Sequence, residues 1–487
     1  MSLSRSSFII KNDGTLWGCG YNDFDQLGLG DTSHRYTFIQ ITTNTDDIKS
    51  IYCGQYHTLI LKNDDTLWGC GKNDYGQLGL GDTNSRNIFT KITDNVKSAY
   101  CGSNYTIVLK NNGTLWGCGK NDKGQLGLGE DAGNKTILTK ITTNTDSVNS
   151  VYCSENHTII SKNDGTLWGC GYNDSGQLGL GDRNNRSTFT QITNNVDNVK
   201  SVCCGMNYTF ILKSDDTLWG CGYNGFDNLG LGDTSARTTF TRITDNVKSV
   251  NCGHYHTIIL KNDGALWGCG YSDDGELGLG YTNRQMTLTQ ISTNTDNIKL
   301  IYCGDYYTFI LKNDGTLWGC GLNDQGQLGL GNTTKRYTFT QITTNTDDIK
   351  CFANNYPNLP SIIKIYNTEI GHVETLDANN FRNIPVNTVE RLKSLCTNPP
   401  NTYLNCLISF DKKQTWKTFN NSNWLEISDI SPGNIILNGM NVGTLNQLDK
   451  SKLISGGFIG NLDFKIAMKT NDTSKTPSVT KIYIEYK

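Results

Sequence analysis

The chain has 487 residues, a formal net charge of −3, 52 glycines, 7 prolines and 17 cysteines. That length allows roughly two to four domains, and it is enough to bury a large core without disulfide staples. The charge argues against nucleic acid as a partner, because phosphate binding draws most of its affinity from a basic excess. No apolar run reaches the roughly 18 residues a membrane-crossing helix needs, so membrane insertion is not expected.

From its start the chain reads Met-Ser-Leu-Ser-Arg-Ser-Ser-Phe-Ile-Ile, with no apolar stretch of signal-peptide length. The expectation is cytoplasmic synthesis without a signal peptide, with association to a virion or particle as a further destination. Phe8-Ile9-Ile10-Lys11 matches Leu59-Ile60-Leu61-Lys62 further on, so the chain begins inside a repeating unit.

The word Leu-Trp-Gly-Cys-Gly occurs seven times, at Trp17, Trp68, Trp116, Trp168, Trp219, Trp267 and Trp318, with spacings of 51, 48, 52, 51, 48 and 51. Periods of this length indicate solenoids or propellers. Within residues 51–93, Ile51-Tyr52-Cys53 reads as a first strand and His57 to Leu61 as a second. A polar turn at Asn63-Asp64-Asp65 leads to a third strand, Thr66 to Cys70. Other copies turn on Asp-Gly (Asp13-Gly14, Asp164-Gly165, Asp263-Gly264, Asp314-Gly315), a strong hairpin signal because Gly accepts positive φ. The glycines of Gln77-Leu78-Gly79-Leu80-Gly81-Asp82 suit a tight bend, and Phe89 to Thr93 supplies an outer strand. Four short strands per unit, seven times over, predict an all-β seven-bladed β-propeller. The last copy runs out through Phe339 to Ile342 and Asp348 to Phe352, completing the blade that the first residues begin, and this removes free sheet edges. Residues 1–356 are expected to form this closed ring.

The unit Gly-x-x-His-Thr…Asn-Asp-Gly-Thr-Leu-Trp-Gly-Cys-Gly-Tyr-Asn-Asp-x-Gly-Gln-Leu-Gly-Leu-Gly-Asp resembles the repeat of the regulator of chromosome condensation family. The resemblance implies a seven-bladed propeller and three kinds of activity: nucleotide exchange on a small GTPase, chromatin binding, and capping of an enzyme by one propeller face. The uniform repeat length leaves no insertion to serve as an exchange wedge, and there is no basic tail for chromatin.

All seven prolines lie after residue 356, and the charge changes there, from −6 before to +3 after. Residues 357–487 are therefore expected to form a second, smaller domain, either α+β or a β-sandwich. A capping box at Asn387 to Glu390 predicts a short helix to Cys396, and Thr444 with Gln447 predicts another to Leu453. Leu404 to Phe410, Trp416 to Phe419, Trp424 to Ile427, Phe464 to Lys469 and Thr480 to Tyr486 read as strands. Ser409 to Lys417, Asn423-Trp424 and Leu462 to Thr470 resemble a phage-tail or prophage tail-fibre module of Gram-positive bacteria, which implies an attachment role.

Each candidate site also has a packing explanation. Six cysteine pairs, such as Cys53/Cys70 and Cys303/Cys320, share a 17-residue interval. The close pairs that zinc prefers are absent, and a position fixed in every blade suits a buried thiol packing as a small hydrophobe; repeated disulfides or metal are the other reading. His57, His157 and His256 alternate with Tyr105, Tyr208 and Tyr307 in one slot, which suits a hydrogen bond to a neighbouring loop and not a general base. Arg35, Arg86, Arg186, Arg237 and Arg336 share a slot with Lys135 and Gln285. They either tie down their own loops or form a ring of cations for an anionic partner such as a cell-surface polymer. Phe24, Tyr75 and Phe226 share another slot and are candidate anchors for a partner. No catalytic set, metal set or cofactor motif is present, so no enzyme is expected. The chain reads as a non-enzymatic binding protein whose propeller face recognises a protein or cell-surface polymer, as part of a phage-tail or prophage-derived particle. The alternative is an intracellular protein-binding propeller that inhibits an enzyme or regulates a small GTPase.

Overall fold

A computed structural model describes residues 5–129 and 133–352 in full, and the backbone of strands between Phe381 and Tyr486. Two compact units divide the chain, Met1–Asn358 and Leu359–Lys487.

The first unit contains seven four-stranded antiparallel sheets. One blade shows the pattern: Ile48–Cys53, His57–Lys62, Leu67–Gly71 and Arg86–Thr93 pair in chain order. The first strand lies at the ring axis, where Tyr52 comes within 6.2 Å (ring centroids) of Tyr100 on the next blade's first strand. Every residue of His57–Lys62 is buried, because both faces of the sheet are covered by neighbouring blades, and this explains its unbroken apolar run. The outer strand has one fully buried residue, Phe89, and the rest are partly or fully exposed.

The hairpin between the second and third strands explains the repeated tryptophan. Asp64 accepts from Thr66 N at 3.0 Å and from Thr66 Oγ1 at 2.7 Å, while Thr66 Oγ1 accepts from Trp68 Nε1 at 2.8 Å. Lys62 covers the indole at 4.5 Å and pairs with Asp46 at 2.8 Å.

One carbonyl in each blade makes a repeated pair of bonds to the next. Gln77 O accepts from Thr106 Oγ1 at 2.8 Å and from Cys118 Sγ at 3.4 Å on the next blade. The same bonds recur around the ring, ending with Ser7 and Cys19 on Gln327 O. Gly79 has φ +68°, and a Cβ there would lie 3.0 Å from Cys118 Sγ, so the bend of the Gly-Leu-Gly word exists to let blades touch. The described cysteines are free, and all but Cys351 are fully buried. Burial pushes thiols such as Cys70 and Cys118 well above their usual range.

The ring closes through a composite blade. Ile349–Phe352 pairs antiparallel with Ser6–Lys11, which continues to Leu16–Gly20 and Arg35–Ile41. Tyr307 donates to Ser6 O at 3.1 Å across that junction.

In the second unit, Phe381–Pro385, Asn461–Thr470, Thr402–Ser409, Trp416–Asn420 and Asn423–Ile427 form a five-stranded sheet in that order, and Val389–Thr397 pairs with Ser478–Tyr486. The helix expected from Asn387 to Cys396 is therefore corrected to strand. One antiparallel partner pairs with it from Val389 to Thr397, and this long-range pairing outweighs a local capping signal. The helix expected from Thr444 to Leu453 lies outside the described residues, as do the segments that would decide between an α+β module and a β-sandwich.

Candidate functional face

The loops joining first to second strands and third to fourth strands emerge on the same face of the propeller. In the blade above these are residues 54–56 and 72–85, and Lys72 N donates to Tyr56 O at 2.8 Å between them. The hairpins with their Lys–Asp pairs emerge on the opposite face.

The arginine slot opens the outer strands on the first face. Arg35 Nη2 pairs with Asp31 Oδ2 at 2.6 Å while Nη1 donates to Ser33 O at 2.6 Å. Arg86 with Asp82, Arg186 with Asp182 and Arg237 with Asp233 repeat this arrangement at 2.6–2.7 Å. Each guanidinium holds its aspartate below the usual carboxylate range. Arg336 has Asn332 in the aspartate's place at 3.3 Å, and makes no ion pair among the described residues. The arginines thus tie down their own loops, and four of the five charges are internally balanced.

The aromatic slot is more open. Phe24 lies 4.8 Å from Tyr56 and 6.1 Å from Tyr21, with Lys72 Nζ 4.7 Å over its ring. Phe226 lies 4.4 Å from Tyr255, 5.6 Å from Tyr271 and 6.0 Å from Tyr223. His254 stacks on Tyr255 at 4.3 Å and meets Tyr306 at 5.0 Å. Tyr75 has Lys120 Nζ 5.9 Å over its ring and is not part of either cluster. All these aromatics are partly exposed. Sequence reasoning found Phe24 and Phe226 and missed their companions Tyr21, Tyr56, Tyr223, Tyr255, Tyr271 and Tyr306. The signal was available: Tyr56, Tyr255 and Tyr306 hold the position before the His/Tyr slot, where three copies carry asparagine and the closing copy carries Arg5.

The loops nearest the axis carry a second group, in which Gln55, Ser103, Glu155, Met206, His254 and Asp305 occupy equivalent positions. Asp305 is 3% exposed and its Oδ1 has no hydrogen-bond partner. Burial pushes its carboxyl well up, with Arg5 opposing the shift and Glu155 adding to it. Glu155 is also raised by burial, and His254 is lowered to about 4 by burial and by Arg5.

The His slot is structural. His57 Nε2 meets Thr106 Oγ1 of the next blade at 3.1 Å, and that hydroxyl donates onward to Gln77 O. The ring must therefore donate from Nε2, and its Nδ1 is without a partner. Burial lowers His57, His157 and His256 to about 3, so they stay neutral. The contact is to a strand of the next blade, not to a loop. Gly54 makes room for it: a Cβ there would lie 2.2 Å from the His57 ring. Among the described residues no cluster of three or more His, Cys, Asp or Glu could hold a metal, and no helix is long and apolar enough to cross a membrane.

A closed seven-bladed propeller with short, regular loops and one aromatic-rich face is a scaffold for holding partners. The chain belongs to the RCC1-like domain family, whose profile matches residues 87–355. Regulator of chromosome condensation (RCC1) repeat profiles match residues 13–61, 64–109 and 48–77. The Arabidopsis thaliana ultraviolet-B receptor UVR8 is 29% identical over 226 residues, covering 45% of this chain and 51% of that protein. The mouse X-linked retinitis pigmentosa GTPase regulator is 29% identical over 189 residues, covering 38% of this chain and 14% of that protein. The chain thus spans about half of one of these relatives and a small part of the other. Among solved structures, yeast RCC1 (Prp20) bound to Kap60 superposes with a TM-score of 0.61 at 21% identity, covering 71% of this chain and 86% of that chain. Human WBSCR16 gives 0.60 at 21%, covering 69% and 94%. These superpositions establish the shared fold.

Proposed function

We propose that this chain is a non-enzymatic regulator that binds a partner protein through the aromatic face of its propeller. The observation that carries this is the pair of ring clusters around Phe24 and Phe226, partly exposed on loops that rigid blades hold in place. Such rings supply contact area at small entropic cost, because little has to be ordered on binding. The relatives agree in kind: one is named a receptor and another a GTPase regulator, and a fold relative was solved bound to the protein Kap60. With short loops of nearly uniform length, binding spreads over several blades, as suits capping of an enzyme or a GTPase.

The particle-component reading, with a cell-surface polymer as ligand, rests on residues of the second unit whose side chains lie outside the described ones. The named similarities give it no support and favour the protein-binding alternative.

The test compares capture of a partner by the full chain with Phe226→Ala, Phe24→Ala and, on the opposite face, Asn313→Ala. Loss of a buried aromatic anchor costs about 1–2 kcal/mol, roughly tenfold in affinity. Loss in the Phe variants with retention in Asn313→Ala is expected. Equal capture by all three would refute the assignment of this face.

A further inference from the structure

We propose that the axial mouth of the aromatic face is a socket for one cationic side chain, a lysine or arginine of the partner, seated between the Asp305 and Glu155 carboxyls and the Tyr255–His254–Tyr306 aromatic wall. This deepens the function proposed above and rests on it in taking the ligand to be part of a protein.

Three observations converge. The first is the state of Asp305. Carboxyl oxygens inside folded proteins are almost always paired, and a buried one without a partner costs free energy. Asp305 Oδ1 has none, in a side chain that is almost wholly buried. The second is where that carboxyl faces. It feels the charges of Arg5 and Glu155, which belong to the closing blade and to the blade of Val148–Cys153, whereas Asp305 follows Ile298–Cys303. The blades of Glu155 and Asp305 are not neighbours, and such blades approach one another only at the axis, so the two carboxyls lie on the axial side of this face. The third is the wall. Arg5 Cζ lies 5.8 Å over the Tyr306 ring, so this wall already holds a guanidinium at cation–π distance. Arg5 makes no ion pair with Asp305 or Glu155 among the described residues; Lys120 is the cation that acts on Glu155, and Asp305 is opposed by Arg5 alone.

A cation answers these features together. Its charge favours the ionised acids that burial disfavours, its N–H groups pair with the orphaned oxygen, and its stem packs on the tyrosines. An anion would meet two carboxyls, and a neutral group would add no counter-charge. The charged and titratable groups acting on Asp305 are Arg5, Glu155, Tyr255 and Tyr306, and Lys120 acts on Glu155; His254 beside them is neutral at ordinary pH because of its burial. Cation binding therefore releases protons from the acids, and affinity rises with pH while they are protonated in the free protein.

The experiment titrates the full chain with the capped peptide Gly-Gly-Arg-Gly-Gly and with its citrulline analogue, which keeps the shape and loses the charge. Saturable millimolar binding of the arginine peptide is expected, with binding of the citrulline peptide weaker by about tenfold or more, the usual worth of a charge-assisted bond. Asp305→Asn should weaken the arginine peptide by a similar factor while leaving the melting temperature equal or higher, since it removes a costly buried acid. Tyr306→Leu should weaken it severalfold. Equal affinity for the two peptides, no arginine-peptide binding at millimolar concentration, or unchanged affinity in folded Asp305→Asn would each overturn the proposal. Partner capture lost in Phe226→Ala would still support the function proposed above after such a failure. Conversely, arginine-peptide binding lost in Asp305→Asn stands even if the Phe variants capture normally.

Discussion

Glu276 offers a quantitative test of how the blades are held together. It stands where other blades carry Gln26, Gln77, Gln125, Gln177 and Gln327, and it is fully buried. In each of those blades the amide oxygen accepts the backbone N–H two residues earlier, as Gln77 does from Tyr75 at 3.0 Å. Glu276 Oε2 does the same for Asp274 N at 3.0 Å, while Oε1 has no partner. A protonated carboxyl imitates an amide, with one oxygen accepting and the other carrying a hydrogen. Burial, chiefly, raises its pKa from 4.5 to about 8, and Asp274 and Asp273 add to the rise. The folded state then holds a proton that the unfolded state has already lost. Stability is full below the unfolded value and falls by about 1.4 kcal/mol per pH unit between the two values, several kcal/mol in all. Glu276→Gln abolishes this loss. Its amide can donate to Asp273, as Gln125 donates to Asp122 at 3.3 Å. Denaturant unfolding of both proteins should give nearly equal stabilities at about pH 4.5, and an advantage for the variant of about 3–5 kcal/mol at about pH 8.5. A difference that stays constant across that range would refute the argument.

Other expectations follow from the same geometry. Deleting residues 1–20 removes two strands of the closing blade together with the Ser7 and Cys19 contacts to Gln327, and should cause aggregation or a large fall in melting temperature; a truncated chain that melts like the parent would disprove closure. The buried thiols should resist a thiol reagent in the native state and react once the protein is denatured, and six or more disulfides in fresh protein would contradict the buried-thiol packing. The lowered pKa of His57 means that the unfolded state binds the proton first, so its contribution is lost as pH falls from 6.5 towards about 3. His57→Tyr, which installs the residue of other blades, should flatten that acid limb in pH-dependent unfolding. Arg35→Ala should cost only about 0–1 kcal/mol, since its ion pair with Asp31 is near the surface, and it should leave binding at the aromatic face intact.

The seven-fold word around Trp17 to Trp318 was enough, by itself, to specify the propeller. Short apolar runs, Asp-Gly turns and a fixed period are local features, and a repeat that cannot bury its own faces must stack against its copies. The sequence also placed Phe24 and Phe226 on the connections between third and fourth strands, and Arg35 and its equivalents where those connections end. Whether those arginines were free or committed depended on partners four residues away, and only the folded loop shows Asp31, Asp82, Asp182 and Asp233 taking up their charge. The axial mouth was not legible at all. Asp305, Glu155, Arg5 and His254 are ordinary polar residues, separated along the chain by whole blades. Ring closure carries them to one axis, and burial there changes what they are chemically. In the second unit, the capping signal at Asn387 was a true local preference overruled by the strand Ser478–Tyr486, far along the chain. Local pattern thus determined which elements form, while the surroundings of each charge were decided by long-range packing, because desolvation and charge pairing depend on distance in space and not on distance in sequence.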